Sequence, residues 1–162
     1  MSDNTIPDVP VAADTDVFIT RAFAAPREVV WQFFTKPEFL ARWFGPASVH
    51  VDLSTVRVNL REGGVWGLDM VDNESGEHYP MLVHLTVVIP PEYLEGYHPS
   101  PAVAQGGPFD RVVLRIWLHD HGDKTRMTLH QGPFEPQFRD MTRDGWLESF
   151  DKMDAVIEGD AA

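Results

Sequence analysis

A change of apolar period most constrains the fold. From Val49 to Gln131 apolar residues recur at every second position, as in a strand with one buried face. From Pro136 to Glu158 they recur at helical spacing, through Phe138, Met141, Gly145/Trp146, Phe150, Met153 and Val156/Ile157. Within the first region "VWGLDM" and "YPMLVHLTV" flank the turn residues "NESG". Placing Met70 opposite Tyr79 sets Leu68 against Met81 and Trp66 against Val83, all on one face. A second pair behaves alike. In "VLRIWLHD", Val112, Leu114, Ile116 and Leu118 share a face, with Arg111, Arg115, Trp117 and His119 opposite. Pairing Leu118 with Met127 brings Ile116 to Leu129. Two such hairpins predict an antiparallel sheet covered on one side, and the closing helix is long enough to be its cover.

The N-terminal part adds a strand and two short helices. "DVFITRAFAA" is rich in β-branched and aromatic residues, and "PREVVWQFFT" starts on Pro26 with Val29, Val30, Phe33 and Phe34 at helical spacing. Lys36-Pro37 ends that helix, and a second runs from about Pro37 to Trp43 before Gly45-Pro46 stops it. The expected class is α+β: a curved antiparallel sheet, two short N-terminal helices and a long C-terminal helix packed across the sheet. Residues 16–159 read as one domain, 1–15 as a disordered lead and 160–162 as a disordered tail.

Composition narrows the partners. The formal charge of −12 and the lack of a basic cluster argue against nucleic acid and against anionic membrane surfaces. No apolar run approaches the ~20 residues of a membrane span. The lead lacks the basic start and apolar block of a secretion signal, so the expected location is cytoplasmic. Without cysteine, disulfides and thiolate chemistry are excluded.

Four stretches resemble one family. "ITRAFAAPREVVWQFFTKPEFLARWFGP" is similar to its strand, proline-initiated helix and Trp-aromatic-Gly-Pro element. "REGGVWGLDM" resembles its Gly-Gly-x-aromatic strand, and "VIPPEYL" its Pro-Pro-Glu turn. "TRMTLHQGPF" with "GWLESFDKM" is similar to its penultimate hairpin strand and closing helix. The family is the activator-of-Hsp90-ATPase homologue-like family, in the START-like, Bet v-type (SRPBCC) superfamily of helix-grip folds. Val87 departs from the acidic residue often found before Pro-Pro-Glu, and the Pro/Gly-rich segment 98–109 has no clear counterpart.

The resemblance implies a cavity between sheet and C-terminal helix that binds a small hydrophobic molecule, such as a lipid, sterol or aromatic metabolite. The expected wall is Phe34, Trp43, Phe44, Trp66, Leu68, Met70, Leu85, Leu114, Ile116, Trp146, Phe150 and Met153, with His98 as a polar contact at the mouth. Trp43 is expected to face inward as wall or lid. The alternative for these residues is solid core packing.

No catalytic set accompanies them. Gly-x-Ser-x-Gly and His-Glu-x-x-His are absent, and Gly63-Gly64 lacks the Lys-Ser/Thr of a phosphate loop, so a strand-entry bend accounts for it. "LHDH" (118–121) offers His119, Asp120 and His121, but the register points His119 outward near Arg126, which favours a solvated turn over a metal site. Glu135 and Asp140 are expected at exposed helix positions. No cofactor and no metal are expected. An enzyme using the same cavity is the alternative reading. A co-chaperone stimulating the Hsp90 ATPase is a third, weakened because 15 residues before the first strand are too few for the additional N-terminal domain that accompanies that activity.

Overall fold

A computed structural model describes residues 6–103 and 106–161, with side chains through Gly159. Residues 1–5, 104–105 and 162, parts of the expected lead, the Pro/Gly-rich loop and the tail, lie outside the described residues. Strand β1 (Val17–Phe23) leads into α1 (Arg27–Thr35) and α2 (Pro37–Trp43). The strands β2 (Val49–Val51), β3 (Arg57–Val58), β4 (Val65–Asp72), β5 (His78–Ile89), β6 (Tyr93–Pro99), β7 (Arg111–His121) and β8 (Lys124–Gly132) follow. Helix α3 (Pro136–Ala161) closes the chain.

The strands form one curled antiparallel sheet in the order β1-β8-β7-β6-β5-β4-β2, with β3 beside β4. Both hairpin registers read from the alternation are the observed ones: Met70 with Tyr79, Leu68 with Met81 and Trp66 with Val83, and Leu118 with Met127 and Ile116 with Leu129. The departure at Val87 coincides with a slip in the β5–β6 register between Leu85 and Val87. At Gly64 an added Cβ would lie 2.0 Å from the Asn59 carbonyl oxygen, which explains the glycine at this strand-entry bend.

The core lies between the concave sheet face and the three helices. Two tryptophans in it have a specific task. Trp43 Nε1 donates to the Phe33 carbonyl at 2.8 Å and Trp66 Nε1 to the Phe34 carbonyl at 2.7 Å. Both carbonyls belong to the last turn of α1, where helix geometry leaves C=O groups without intrahelical partners. The indoles therefore supply core volume and complete the helix terminus together.

Polar contacts fix α3 across the sheet. Arg21 of β1 reaches Asp151 at 2.7 Å and Asp154 at 2.6 Å. Lys152 Nζ donates to the carbonyls of Pro46 at 2.9 Å and Val49 at 3.2 Å. On the convex face, Trp117 differs from expectation. It shares its face with Arg115 and His119, but it is only 3 % exposed because Tyr93 packs on it and its indole donates to the Pro7 carbonyl. The sheet is thus covered locally on its second side as well.

Candidate functional site

The turn after α2 sends two adjacent aromatic rings to different parts of the core, Trp43 to its interior and Phe44 to its edge beside the gap. Gly45 adopts φ +93°, and a Cβ there would lie 2.6 Å from Val49 Cγ2. Only glycine suits such a position. Trp43 is fully buried, stacked on Phe150 with centroids 5.9 Å apart. Phe44 instead edges onto Trp146, centroids 5.3 Å apart, where the sheet and α3 separate.

That separation leaves a cleft of about 390 Å³. Its walls are Phe44, Gly45 and Pro46 from the turn, Met70, Pro80 and Met81 from the β4–β5 hairpin, and Met141, Thr142, Gly145, Trp146 and Ser149 from α3. His98, Pro99, Pro101, Gln131 and Phe134 close the remaining side. The volume lies within the ~300–1,000 Å³ usual for small-molecule sites. Methionine lines two of these walls, Met70 and Met81 on the hairpin and Met141 on α3, and its flexible thioether adapts to ligands of varied shape.

One corner is polar and internally ordered. Trp146 Nε1 lies 2.8 Å from Gln131 Oε1, Gln131 Nε2 lies 2.9 Å from His98 Nε2, and His98 Nδ1 lies 2.8 Å from the Pro99 carbonyl. The indole N–H can only donate, so the Gln131 oxygen faces it and the Gln131 NH₂ faces His98. His98 Nε2 must then accept, which leaves the proton on Nδ1 to donate to Pro99. The chain of bonds requires a neutral imidazole. Burial pushes the His98 pKa down in the same direction, against a smaller upward effect of the Pro99 bond.

Of the residues expected at the wall, Phe44, Met70, His98 and Trp146 line the cleft. Phe34, Trp43, Trp66, Leu68, Leu85, Leu114, Ile116, Phe150 and Met153 are packed in the core, none more than 3 % exposed. Trp43 does face inward, but as core. Met141, placed by helical spacing in the buried stripe, is 61 % exposed and forms part of the cleft rim. Here the cleft separates α3 from the β4–β5 hairpin.

Met81 and Gln131 were missed although the pattern contains them. Met81 sits opposite Leu68, and Gln131 continues the inward series Met127, Leu129. Glu135 is a correction. It was expected in solvent, yet both carboxylate oxygens are shut off from it and have no hydrogen-bond partner among the described residues. Directly before α3 this side chain runs close to Gly107: a Cβ added there would lie 2.7 Å from Glu135 Oε1. Asp140, by contrast, is half exposed and pairs with Arg139 at 3.0 Å.

A second cleft of about 370 Å³, toward the convex side, is lined by Arg27, Glu92, Trp117, His119, Asp120, His121 and Arg126, among others. His119 pairs with Arg126 across the hairpin, and burial together with neighbouring Arg126 holds its pKa down. Among the described residues no three His, Cys, Asp or Glu side chains converge as metal ligands. No described helix is long and apolar enough to cross a membrane.

Similarity to known proteins agrees with this geometry. A Chromobacterium violaceum protein superposes with a TM-score of 0.77 at 19% identity, over 90% of this chain and 99% of its own. A Nitrosomonas europaea protein does so at 0.75 and 24%, over 93% and 99%. The AHSA1 protein of Silicibacter pomeroyi gives 0.73 and 21%, over 90% and 99%. At these identities the likeness concerns the fold. No curated protein sequence matches the chain. The model of the family described as Activator of Hsp90 ATPase homolog 1-like protein matches residues 24–158, so the chain belongs to that family.

Proposed function

We propose that this protein binds a small hydrophobic molecule, a lipid, sterol or aromatic metabolite, in the cleft between the β4–β5 hairpin, the turn after α2, and α3. The observation that carries the reading is the contrast between the two parts of the sheet–helix gap. Most of it is filled with rings, while at one end Phe44, Met70, Met81, Met141 and Trp146 surround open space. Apolar walls with a few placed polar groups are the usual composition of a small-molecule site. The enzymatic alternative calls for at least two titratable groups converging in the cleft, and among its lining residues only His98 titrates.

Gly145 provides the test. It lines the cleft from α3, and a Cβ added there meets nothing within 4 Å. Gly145→Leu therefore places a side chain in the cleft while replacing a poor helix former, a gain of up to about 1 kcal/mol. Lipids, sterols and aromatic metabolites are screened by thermal shift, and material extracted from the purified protein is read by mass spectrometry. A ligand should raise the melting temperature of the wild-type protein and leave Gly145→Leu unmoved. Equal shifts in both proteins, or none across the screen, would refute the proposal.

A further inference from the structure

Among the described residues that line the cleft, none is Asp, Glu, Lys or Arg. The convex-side cleft, nearly equal in volume, is lined by four such residues, Arg27, Glu92, Asp120 and Arg126. The one titratable lining group, His98, is held as the neutral ring by its bonds to Gln131 and to the Pro99 carbonyl. An ionised group entering this cleft would shed water and meet no opposite charge. That is far more costly than burying a neutral polar group that finds a hydrogen bond.

The polar side chains that line the cleft have fixed roles. The Gln131 amide is oriented from both ends, its oxygen by the Trp146 indole at 2.8 Å and its nitrogen by His98 Nε2 at 2.9 Å. Reversed, its NH₂ would face the indole N–H and its oxygen would face a bare His98 nitrogen. An amide carries two lone pairs and two N–H groups, and these bonds use one of each. One acceptor and one donor therefore remain on a side chain that lines the cleft, held in position before any ligand arrives. Ser149, another lining residue, donates its hydroxyl to the Gly145 carbonyl at 2.8 Å, so toward a ligand it only accepts.

We propose that Gln131 is the head-group contact of the cleft, and that the ligand is uncharged, an apolar ring body carrying a hydroxyl. A hydroxyl both donates and accepts, which matches what the oriented amide has left to offer. The apolar body lies against Phe44, Met70, Met81 and Trp146. This inference rests on the cleft being the ligand site. Among ligands of that site it favours alcohols and phenols, and it sets aside carboxylates and amines whose charge enters the cleft.

Four probes on one ring system separate the parts of the proposal: naphthylmethanol, naphthylmethylamine, naphthoate and methylnaphthalene. Each is titrated calorimetrically into wild-type protein, Gln131→Met and Gly145→Leu. The buffer is held at about pH 7.5, above the ordinary histidine range, and at roughly 0.15 M salt to screen the protein's overall charge. The alcohol should bind wild-type at least about tenfold more tightly than either ionised probe. The amine is the stricter comparison, because a protein of charge −12 attracts it. Gln131→Met keeps the length of the side chain and removes its donor and its amide oxygen. It should weaken the alcohol about three- to tenfold and leave methylnaphthalene unchanged.

If Gly145→Leu blocks every probe but an ionised probe binds wild-type as tightly as the alcohol, the head-group inference fails and the cleft survives. If Gln131→Met weakens methylnaphthalene as much as the alcohol, Gln131 only shapes the cleft, and its contact with the head is overturned. If no probe binds, or Gly145→Leu binds them all, the cleft reading fails and takes this inference with it. Gln131→Met also leaves the Trp146 N–H and His98 Nε2 without partners, so a readout on wild-type protein accompanies it. The Gln131 side-chain amide resonances should move with the alcohol well beyond their response to methylnaphthalene. Equal responses to the two would overturn the contact whether or not the variant folds.

Discussion

The two ends of the sheet–helix gap are built from similar residues and behave differently. At the closed end Trp43, Phe34, Trp66, Phe150 and Met153 are essentially removed from solvent. Ring contacts run from Phe34 to Trp43 at 5.1 Å, from Trp43 to Phe150 at 5.9 Å and from Phe150 to Trp146 at 5.5 Å. At the open end Trp146 and Phe44 terminate the series, and the next positions on α3 toward its start are Gly145, Thr142 and Met141. Aromatic content does not distinguish core from cleft. What distinguishes them is whether the facing residue is large, and whether each indole N–H is satisfied by main chain or by a side chain that can rearrange. Trp43 and Trp66 bond to fixed carbonyls, while Trp146 bonds to Gln131.

Trp43→Ala breaks the comparison at its strongest point. Truncating a fully buried indole removes its transfer energy and leaves a cavity, a loss of about 3–5 kcal/mol. It also leaves the Phe33 carbonyl without its donor. Urea denaturation with unchanged m-value measures the loss. A cost under about 1 kcal/mol would mean that the closed end is not solid, and that the distinction between the ends is false. Gly145→Leu, at the open end, should change stability in the opposite direction.

Where the sequence was legible, periodicity made it so. The two hairpin registers, the helix breaks at Lys36-Pro37 and Gly45-Pro46 and the extent of α3 followed from spacing and from proline and glycine chemistry. Period alone reports which face is buried, not whether the buried face meets another side chain. For that reason Phe34, Trp66 and Leu114 were expected at a cavity wall and lie in solid core, while Met141 was expected in core and lies at the rim. Glu135 was misread for a related cause. Its helix position suggested exposure, yet its oxygens are buried and Gly107, distant in sequence and announced by no period, lies close to them.

Trp66→Phe probes the same end more finely. The ring is retained in large part and the N–H is lost, leaving the Phe34 carbonyl at the α1 terminus unsatisfied. The expected cost is about 1–3 kcal/mol, the desolvation penalty of an unpaired buried acceptor plus some lost packing. Hydrogen exchange should show the last turn of α1 opening more readily than in wild-type. If its protection is unaltered, the indole contributes volume alone and does not complete the helix end.

The smallest expected effect belongs to His98 at the open end. The Trp146–Gln131–His98 chain admits only the Nδ1–H neutral ring, and burial favours the same form, so the folded His98 pKa lies below its ordinary value of about 6.5. The unfolded chain takes up this proton as pH falls through about 6.5, while the folded protein resists it, so His98 lowers stability on acidification and has no effect above that window. His119 is shifted downward too and adds in the same direction, so the measurement must be residue-specific. In NMR titrations the His98 ring should show the Nδ1–H tautomer at neutral pH and a midpoint below 6.5. Protonation turns Nε2 into a donor facing the donor NH₂ of Gln131. An amide flip would then set that NH₂ against the Trp146 N–H, so one bond of the chain must break. The Trp146 indole N–H resonance should therefore move with the His98 midpoint, while the Trp43 and Trp66 indoles, bonded to main chain, should not follow it. An indole response shared by all three would erase the distinction between the two ends.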